Sequence, residues 1–119
     1  MSRKLILAAV AALLGTIGLT ACGGGGAPPL KVSLEAQDIK WSSNAITASV
    51  GQSVEVTVVN TGALEHNFSV DQFTVNKNVA IGATETITFA PSSSGTYEFY
   101  CAIAGHREAG MVGTLTVNP

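Results

Sequence analysis

The sequence predicts an all-β fold, an antiparallel β-sandwich, over residues 30–119. Apolar residues at helical spacing are missing after Pro29, which argues against helices in this part of the chain. Short runs rich in β-branched and aromatic residues recur there instead, with Gly, Asn, Ser or Pro between them. Apolar and polar residues alternate within most runs, as expected for strands that bury one face.

Seven runs share these features and are the predicted strands: residues 32–39, 44–50, 53–60, 65–70, 84–90, 95–102 and 111–117. Turns are predicted where Gly, Asn, Pro and Ser concentrate between the runs, at residues 51–52, 60–62, 76–78 and 91–95. No repeat of fixed period is found. The length of 119 residues then predicts one folded domain.

The chain begins with a segment that predicts export. Arg3 and Lys4 precede an apolar run over residues 5–14, which is the pattern of a secretory signal and is shorter than the roughly 20 residues of a membrane-spanning helix. Residues 19–22, Leu-Thr-Ala-Cys, resemble the lipobox of bacterial lipoproteins, which implies lipidation of Cys22. The alternative is plain secretion with cleavage after Ala21, which leaves Cys22 as a thiol or disulfide partner.

Three segments are therefore predicted: a lipoprotein signal peptide at residues 1–21, a lipidated Cys22 with a flexible tether at residues 22–29, and the folded domain at residues 30–119. The tether is predicted from four consecutive glycines followed by Ala-Pro-Pro. We expect the domain to face the periplasm or the exterior, held to the membrane by its lipid. The formal net charge of −2 gives no basic surplus, so nucleic-acid binding is not expected.

Candidate metal ligands stand at the ends of three predicted strands. His66 and Cys101 continue the inward-facing rows of their strands, and Met111 has the parity of the apolar residues that follow it. Cys101, His106 and Met111 are spaced C-x4-H-x4-M between the last two strands. Two His with one Cys and a weak axial Met are the ligands of blue-copper electron-transfer sites. The sequence therefore predicts one Cu(I)/Cu(II) ion held by these four side chains.

These motifs resemble the cupredoxins, the small blue-copper proteins that include plastocyanin, azurin and auracyanin. The resemblance rests on Glu-His-Asn-Phe at residues 65–68, on the C-x4-H-x4-M loop and on the final Met-x-Gly-Thr-Leu run. It implies a Greek-key sandwich of about seven to eight strands and a one-electron carrier. It also implies that Cys101 is the thiolate ligand, Met111 the axial group and His106 the ligand at the solvent edge. Asn67 would fix the ligand loop and hydrogen-bond near the Cys sulfur.

Small apolar residues surround His106 in the loop, interrupted by Arg107 and Glu108. This composition predicts a small docking surface near His106 for redox proteins of an electron-transfer chain. We expect a monomer, because nothing in the sequence suggests a larger assembly. The alternative explanation is that small residues are simply those that fit a tight loop.

Other functions compete with electron transfer. A copper carrier or buffer is one alternative, and a metal-free β-sandwich lipoprotein is another. A Cys22–Cys101 disulfide would not explain the spacing of His106 and Met111, and zinc would not favour a Met ligand. A Cys–His nucleophile would need an orienting group and a cleft, so we do not expect an enzyme.

Overall fold

The computed structural model describes residues 27–119, and the signal and most of the tether predicted above lie outside that range. Within it there are nine strands: β1 (Leu30–Gln37), β2 (Lys40–Trp41), β3 (Ala45–Ser49), β4 (Val54–Asn60), β5 (His66–Val70), β6 (Val75–Val79), β7 (Thr84–Phe89), β8 (Gly95–Tyr100) and β9 (Val112–Asn118). A single turn of 3₁₀-helix spans Asp71–Phe73. No helix in residues 27–119 is long and apolar enough to cross a membrane.

The strands form two sheets, as the sequence predicted. The first has the order β2-β1-β4-β7, and the second has the order β3-β9-β8-β5-β6. The all-β sandwich is confirmed, but its pairing is not purely antiparallel, because β1 lies parallel to β4 and β3 lies parallel to β9. Both parallel pairs join strands that are distant in sequence, and such pairs require long crossover connections rather than tight turns.

Alternation builds the core between the sheets. Val54, Val56 and Val58 of β4 are fully buried, whereas the intervening side chains are partly exposed. In the second sheet, the rings of Phe68 and Phe99 lie with centroids 5.6 Å apart. Each fully buried side chain of this size contributes about 1.5–3 kcal/mol relative to leaving it in water.

One predicted turn is a strand. Residues 76–78, Asn-Lys-Asn, lie in the middle of β6, which pairs antiparallel with β5. Val75 and Val79 are buried at the two ends of β6, and its three central residues are exposed. Because polar residues fill the centre of this edge strand, its composition is that of a turn even though its backbone is extended.

The topology brings the candidate ligands to one end of the sandwich. His66 is the first residue of β5, Cys101 follows the last residue of β8, and Met111 precedes β9. Because β8 is antiparallel to both β5 and β9, these three positions lie at the same end of the sheet. The loop of residues 101–111 covers that end.

Candidate metal centre

Three of the predicted ligands, His66, Cys101 and His106, lie close together at this end of the sandwich. Their potential ligand atoms all lie within 4.8 Å of one another. Cys101 Sγ is 3.5 Å from His106 Nδ1 and 4.0 Å from His66 Nδ1. His66 and Cys101 are fully buried, and His106 is 7% exposed, so His106 is the ligand candidate with access to the surface.

Backbone hydrogen bonds hold the loop in shape. The Cys101 N–H donates to the Met111 carbonyl over 3.1 Å, and the Met111 N–H donates to the His106 carbonyl over 3.0 Å. Gly105 has φ +84°, a left-handed conformation that a residue without Cβ adopts at little cost, and it directs the chain into His106. The three loop residues of the predicted ligand set are thereby linked to one another through the main chain.

Met111 is fully buried at the base of this loop. Its main chain bonds to both Cys101 and His106, as the C-x4-H-x4-M spacing allows. Its assignment as the axial ligand stays a prediction.

A backbone N–H group points at the Cys101 sulfur: that of Asn67 donates to Sγ over 3.2 Å. The Ile103 N–H adds a second favourable interaction with the sulfur. Burial raises the pKa of the Cys101 thiol above its ordinary value, and these two donors partly oppose that rise. A metal-free protein therefore holds Cys101 as a thiol, whereas a bound cation would favour the thiolate.

The Asn67 side chain connects three parts of the structure. Its Nδ2 donates to Asn76 Oδ1 and Asn78 Oδ1 on β6, over 2.7 and 2.8 Å. Its Oδ1 accepts from the Ser69 hydroxyl and from the Ala102 N–H at the start of the loop. Asn67 itself is 2% exposed, so these partners satisfy a buried amide.

Asp38 is a contact of the site that the sequence reasoning missed. Its Oδ1 lies 3.0 Å from His66 Nε2, and its Oδ2 accepts a 2.7 Å hydrogen bond from the Ala63 N–H. That backbone donor is the main reason why the pKa of Asp38 is lowered. The contact joins residues 28 positions apart, and an aspartate after a strand carries no periodic signal that could have pointed to it.

Charged and aromatic side chains lie beside the loop. Arg107 forms a 2.6 Å ion pair with Glu98 on β8, and its guanidinium carbon lies 4.3 Å from the ring centroid of Tyr100. The Tyr100 hydroxyl donates to Asp71 over 2.7 Å, and this hydrogen bond is the main cause of the raised pKa of Tyr100. Arg107 is thus held along β8.

The donor set fits copper on geometry and chemistry. Nitrogen and sulfur ligands of a first-row ion stand about 2.0–2.3 Å from it, so two that share an ion lie within about 4.4 Å of each other. Both S···N separations, 3.5 Å to His106 and 4.0 Å to His66, satisfy this limit. A thiolate with two imidazoles is the donor set of blue-copper sites, and among the divalent first-row metals copper binds nitrogen and sulfur donors most tightly.

Residues 5–117 match the family model of the cupredoxin-like domain. The chain belongs to this family. Plastocyanin of Prochlorothrix hollandica is 30% identical over 121 residues, covering 94% of this cupredoxin and 89% of that protein. The copper-resistant cuproprotein CopI of Rubrivivax gelatinosus is 29% identical over 99 residues, covering 66% of this chain and 60% of CopI.

Solved structures agree on the fold. Reduced auracyanin from the photosynthetic bacterium Roseiflexus castenholzii superimposes with a TM-score of 0.68 at 24% identity, covering 80% of this chain and all of that one. The predicted family and fold class are confirmed. Copper as the cofactor of this cupredoxin is confirmed as well, by the relatives together with the His66, Cys101 and His106 cluster.

Proposed function

We propose that this cupredoxin is a one-electron carrier that is anchored by lipid at Cys22 to the outer face of a bacterial membrane. The observation that carries the proposal is the convergence of one thiol and two imidazoles, of which two groups are fully buried and one reaches the surface. His66, Cys101 and His106 would hold the ion, with Met111 as the axial ligand. Bound copper supplies the chemistry by alternating between Cu(II) and Cu(I).

The protein holds the ligand residues in fixed positions in a buried site. Cys101 receives a hydrogen bond from the Asn67 N–H, which stabilises its thiolate in either oxidation state of the copper. The Asn67 side chain ties the start of the loop to β5 and β6. Ligands that are fixed in this way rearrange little when the charge of the site changes. A small rearrangement favours fast electron exchange.

Electrons would enter and leave the site through His106, because it is the one of the three ligand candidates that is partly exposed. Ala102, Ala104 and Gly105 beside it are exposed, and Ile103 is half-buried. Arg107, which interrupts this surface, is engaged by Glu98. A small apolar surface of this kind suits a brief encounter with a redox protein, because electron-transfer interfaces are typically small.

The place where the chain enters the fold supports the anchor. Pro28 is held at the turn between β3 and β4 by a 2.7 Å hydrogen bond from Gln52 Nε2. From there β1 runs from Leu30 to Gln37, and Asp38 then contacts His66. Eight residues of strand span about 25 Å at roughly 3.3 Å per residue, so the tether joins the end opposite the metal centre. A lipid on Cys22 would thus attach at the end of the domain opposite His106 and would leave that residue accessible to partners.

The anchor has its own test. Wild-type protein expressed with its own leader should sediment with membranes and carry lipid, whereas the Cys22→Ser variant should be found in the soluble extracytoplasmic fraction. Equal distributions of the two proteins would refute lipidation and favour plain secretion.

Copper delivery or buffering is a second candidate, because the relative CopI is named a copper-resistant cuproprotein. The two functions differ in what happens on reduction. The copper-loaded full chain would be reduced and reoxidised repeatedly in the presence of a Cu(I) chelator. An electron carrier exchanges one electron per copper in each cycle and keeps its metal. Loss of copper to the chelator at the first reduction would overturn electron transfer in favour of delivery.

A further inference from the structure

The buried ligand candidate His66 has a carboxylate on its far side. Asp38 Oδ1 lies 3.0 Å from His66 Nε2, while His66 Nδ1 faces Cys101 Sγ at 4.0 Å. An ionised carboxylate only accepts hydrogen bonds, so the proton of a neutral His66 stands on Nε2. The lone pair is then on Nδ1, the nitrogen that faces the metal centre. The imidazole is thereby set in the tautomer that can bind metal.

The backbone around Asp38 is shaped for this contact. Asp38 accepts a hydrogen bond from the Ala63 N–H, and its side chain is 35% exposed, whereas that of His66 is fully buried. A Cβ placed on Gly62 would collide with Asp38 Oδ1 and would lie 3.1 Å from His66 Nε2. The carboxylate therefore occupies space that only a glycine leaves open. Residues 62 and 63 form its cradle.

We propose that Asp38 is a positioning residue for the copper centre, which holds His66 as the Nε2–H tautomer and favours Cu(II) over Cu(I). The inference rests on the electron-carrier function proposed above. A carboxylate bonded to the outer N–H of a ligand imidazole raises the basicity of the ligand nitrogen. The negative charge also interacts more strongly with a doubly than with a singly charged ion. Both effects lower the reduction potential.

Replacing the charge should shift the balance between oxidation states. Loss of such an outer partner typically weakens metal binding 10–100-fold. In Asp38→Asn we expect Cu(II) affinity to fall about tenfold more than Cu(I) affinity, which corresponds to a rise of about 59 mV in the potential. Glu35→Gln is the matched control, because Glu35 is an exposed carboxylate on β1 and its loss changes the net charge equally. Its shift should be less than a quarter as large.

Gly62→Ala separates position from charge, since it displaces the carboxylate without removing it. It should raise the potential in the same direction as Asp38→Asn. The two substitutions together should shift the potential less than the sum of their separate effects, because both act through one contact. Additive shifts, or a Glu35→Gln shift as large as that of Asp38→Asn, would overturn the proposal.

A measurement without copper tests the same contact. Nitrogen NMR of the metal-free full chain should find His66 as the Nε2–H tautomer, and Asp38→Ala should convert it to a mixture. A wild-type His66 protonated on Nδ1 would overturn the proposal even if the variants failed to fold. If wild-type protein shows no one-electron copper couple, the electron-carrier function fails, and the tautomer together with the separate Cu(II) and Cu(I) affinities still decides the role of Asp38.

Discussion

Replacing Asn67 by Ala should destabilise the metal-free protein by about 3 kcal/mol. The substitution removes four side-chain hydrogen bonds, which join Asn67 to Ser69, Asn76, Asn78 and Ala102. Asn76, Asn78 and Ala102 are exposed, so water replaces their lost bonds at about 0.5 kcal/mol each. Ser69 is 1% exposed, and a stranded hydroxyl there costs about 1–3 kcal/mol.

Asn78→Ala is the matched control, because it removes one of the same hydrogen bonds from its exposed side. We expect it to cost less than about 1 kcal/mol. For a domain of this size 1 kcal/mol moves the melting temperature by about 4–8 °C, so Asn67→Ala should melt about 12–24 °C below wild type.

Urea unfolding of the metal-free chain gives the free energies directly. The single Trp of the sequence, Trp41, is 6% exposed and is in edge contact with Phe68, so its fluorescence reports the core. Equal slopes with urea concentration would show that the variants change stability rather than the unfolded state. A cost for Asn67→Ala no larger than that of Asn78→Ala would refute the idea that Asn67 holds the ligand loop to the sheet.

Three further predictions concern the copper centre itself. Met111→Leu should lower the free energy of unfolding by less than about 1.5 kcal/mol, because it preserves the volume of the core. It should nevertheless raise the reduction potential, because it removes the axial sulfur. An unchanged potential would show that Met111 is only a core residue. Burial raises the pKa of the Cys101 thiol, so the thiol carries its proton at neutral pH and must lose it when copper binds. The apparent affinity for copper should therefore increase about tenfold per pH unit below that pKa. In a pH-stat titration, copper binding to Cys101→Ser should release one proton fewer per copper than binding to wild type, and equal release would contradict this prediction. Ile103→Lys should slow electron transfer to the physiological partner and leave the copper spectrum unchanged. Val50→Lys, which places the same charge at an exposed residue after β3, should leave the rate unchanged. Equal rates in both variants would refute the hypothesis of a docking surface near His106.

Periodicity accounts for what the sequence predicted well. The inward row of β5 contains His66, and Cys101 follows the inward Phe99, so alternation along each strand placed both side chains towards the interior. His106 was found by its spacing from Cys101. Local patterns sufficed because His66, Cys101 and Met111 stand at the ends of strands and His106 lies in the short loop that joins two of those ends.

Contacts between distant segments were beyond this reasoning. Asp38 meets His66 only because β1 lies parallel to β4, and nothing near Asp38 in the sequence specifies that pairing. The Asn-Lys-Asn segment of β6 was predicted as a turn because its polar side chains resemble those of turns. Both of its asparagines accept hydrogen bonds from the Asn67 side chain, a role that depends on the register between β5 and β6.

The central claim is that Cys101, with His66 and His106, binds a copper ion that carries one electron. The most direct measurement is the visible and EPR spectrum of the full chain after addition of Cu(II), compared with that of Cys101→Ser. We predict an intense blue to green thiolate-to-copper band that ascorbate bleaches and that the variant lacks. A colourless protein, or one that binds copper loosely without this band, would contradict the claim.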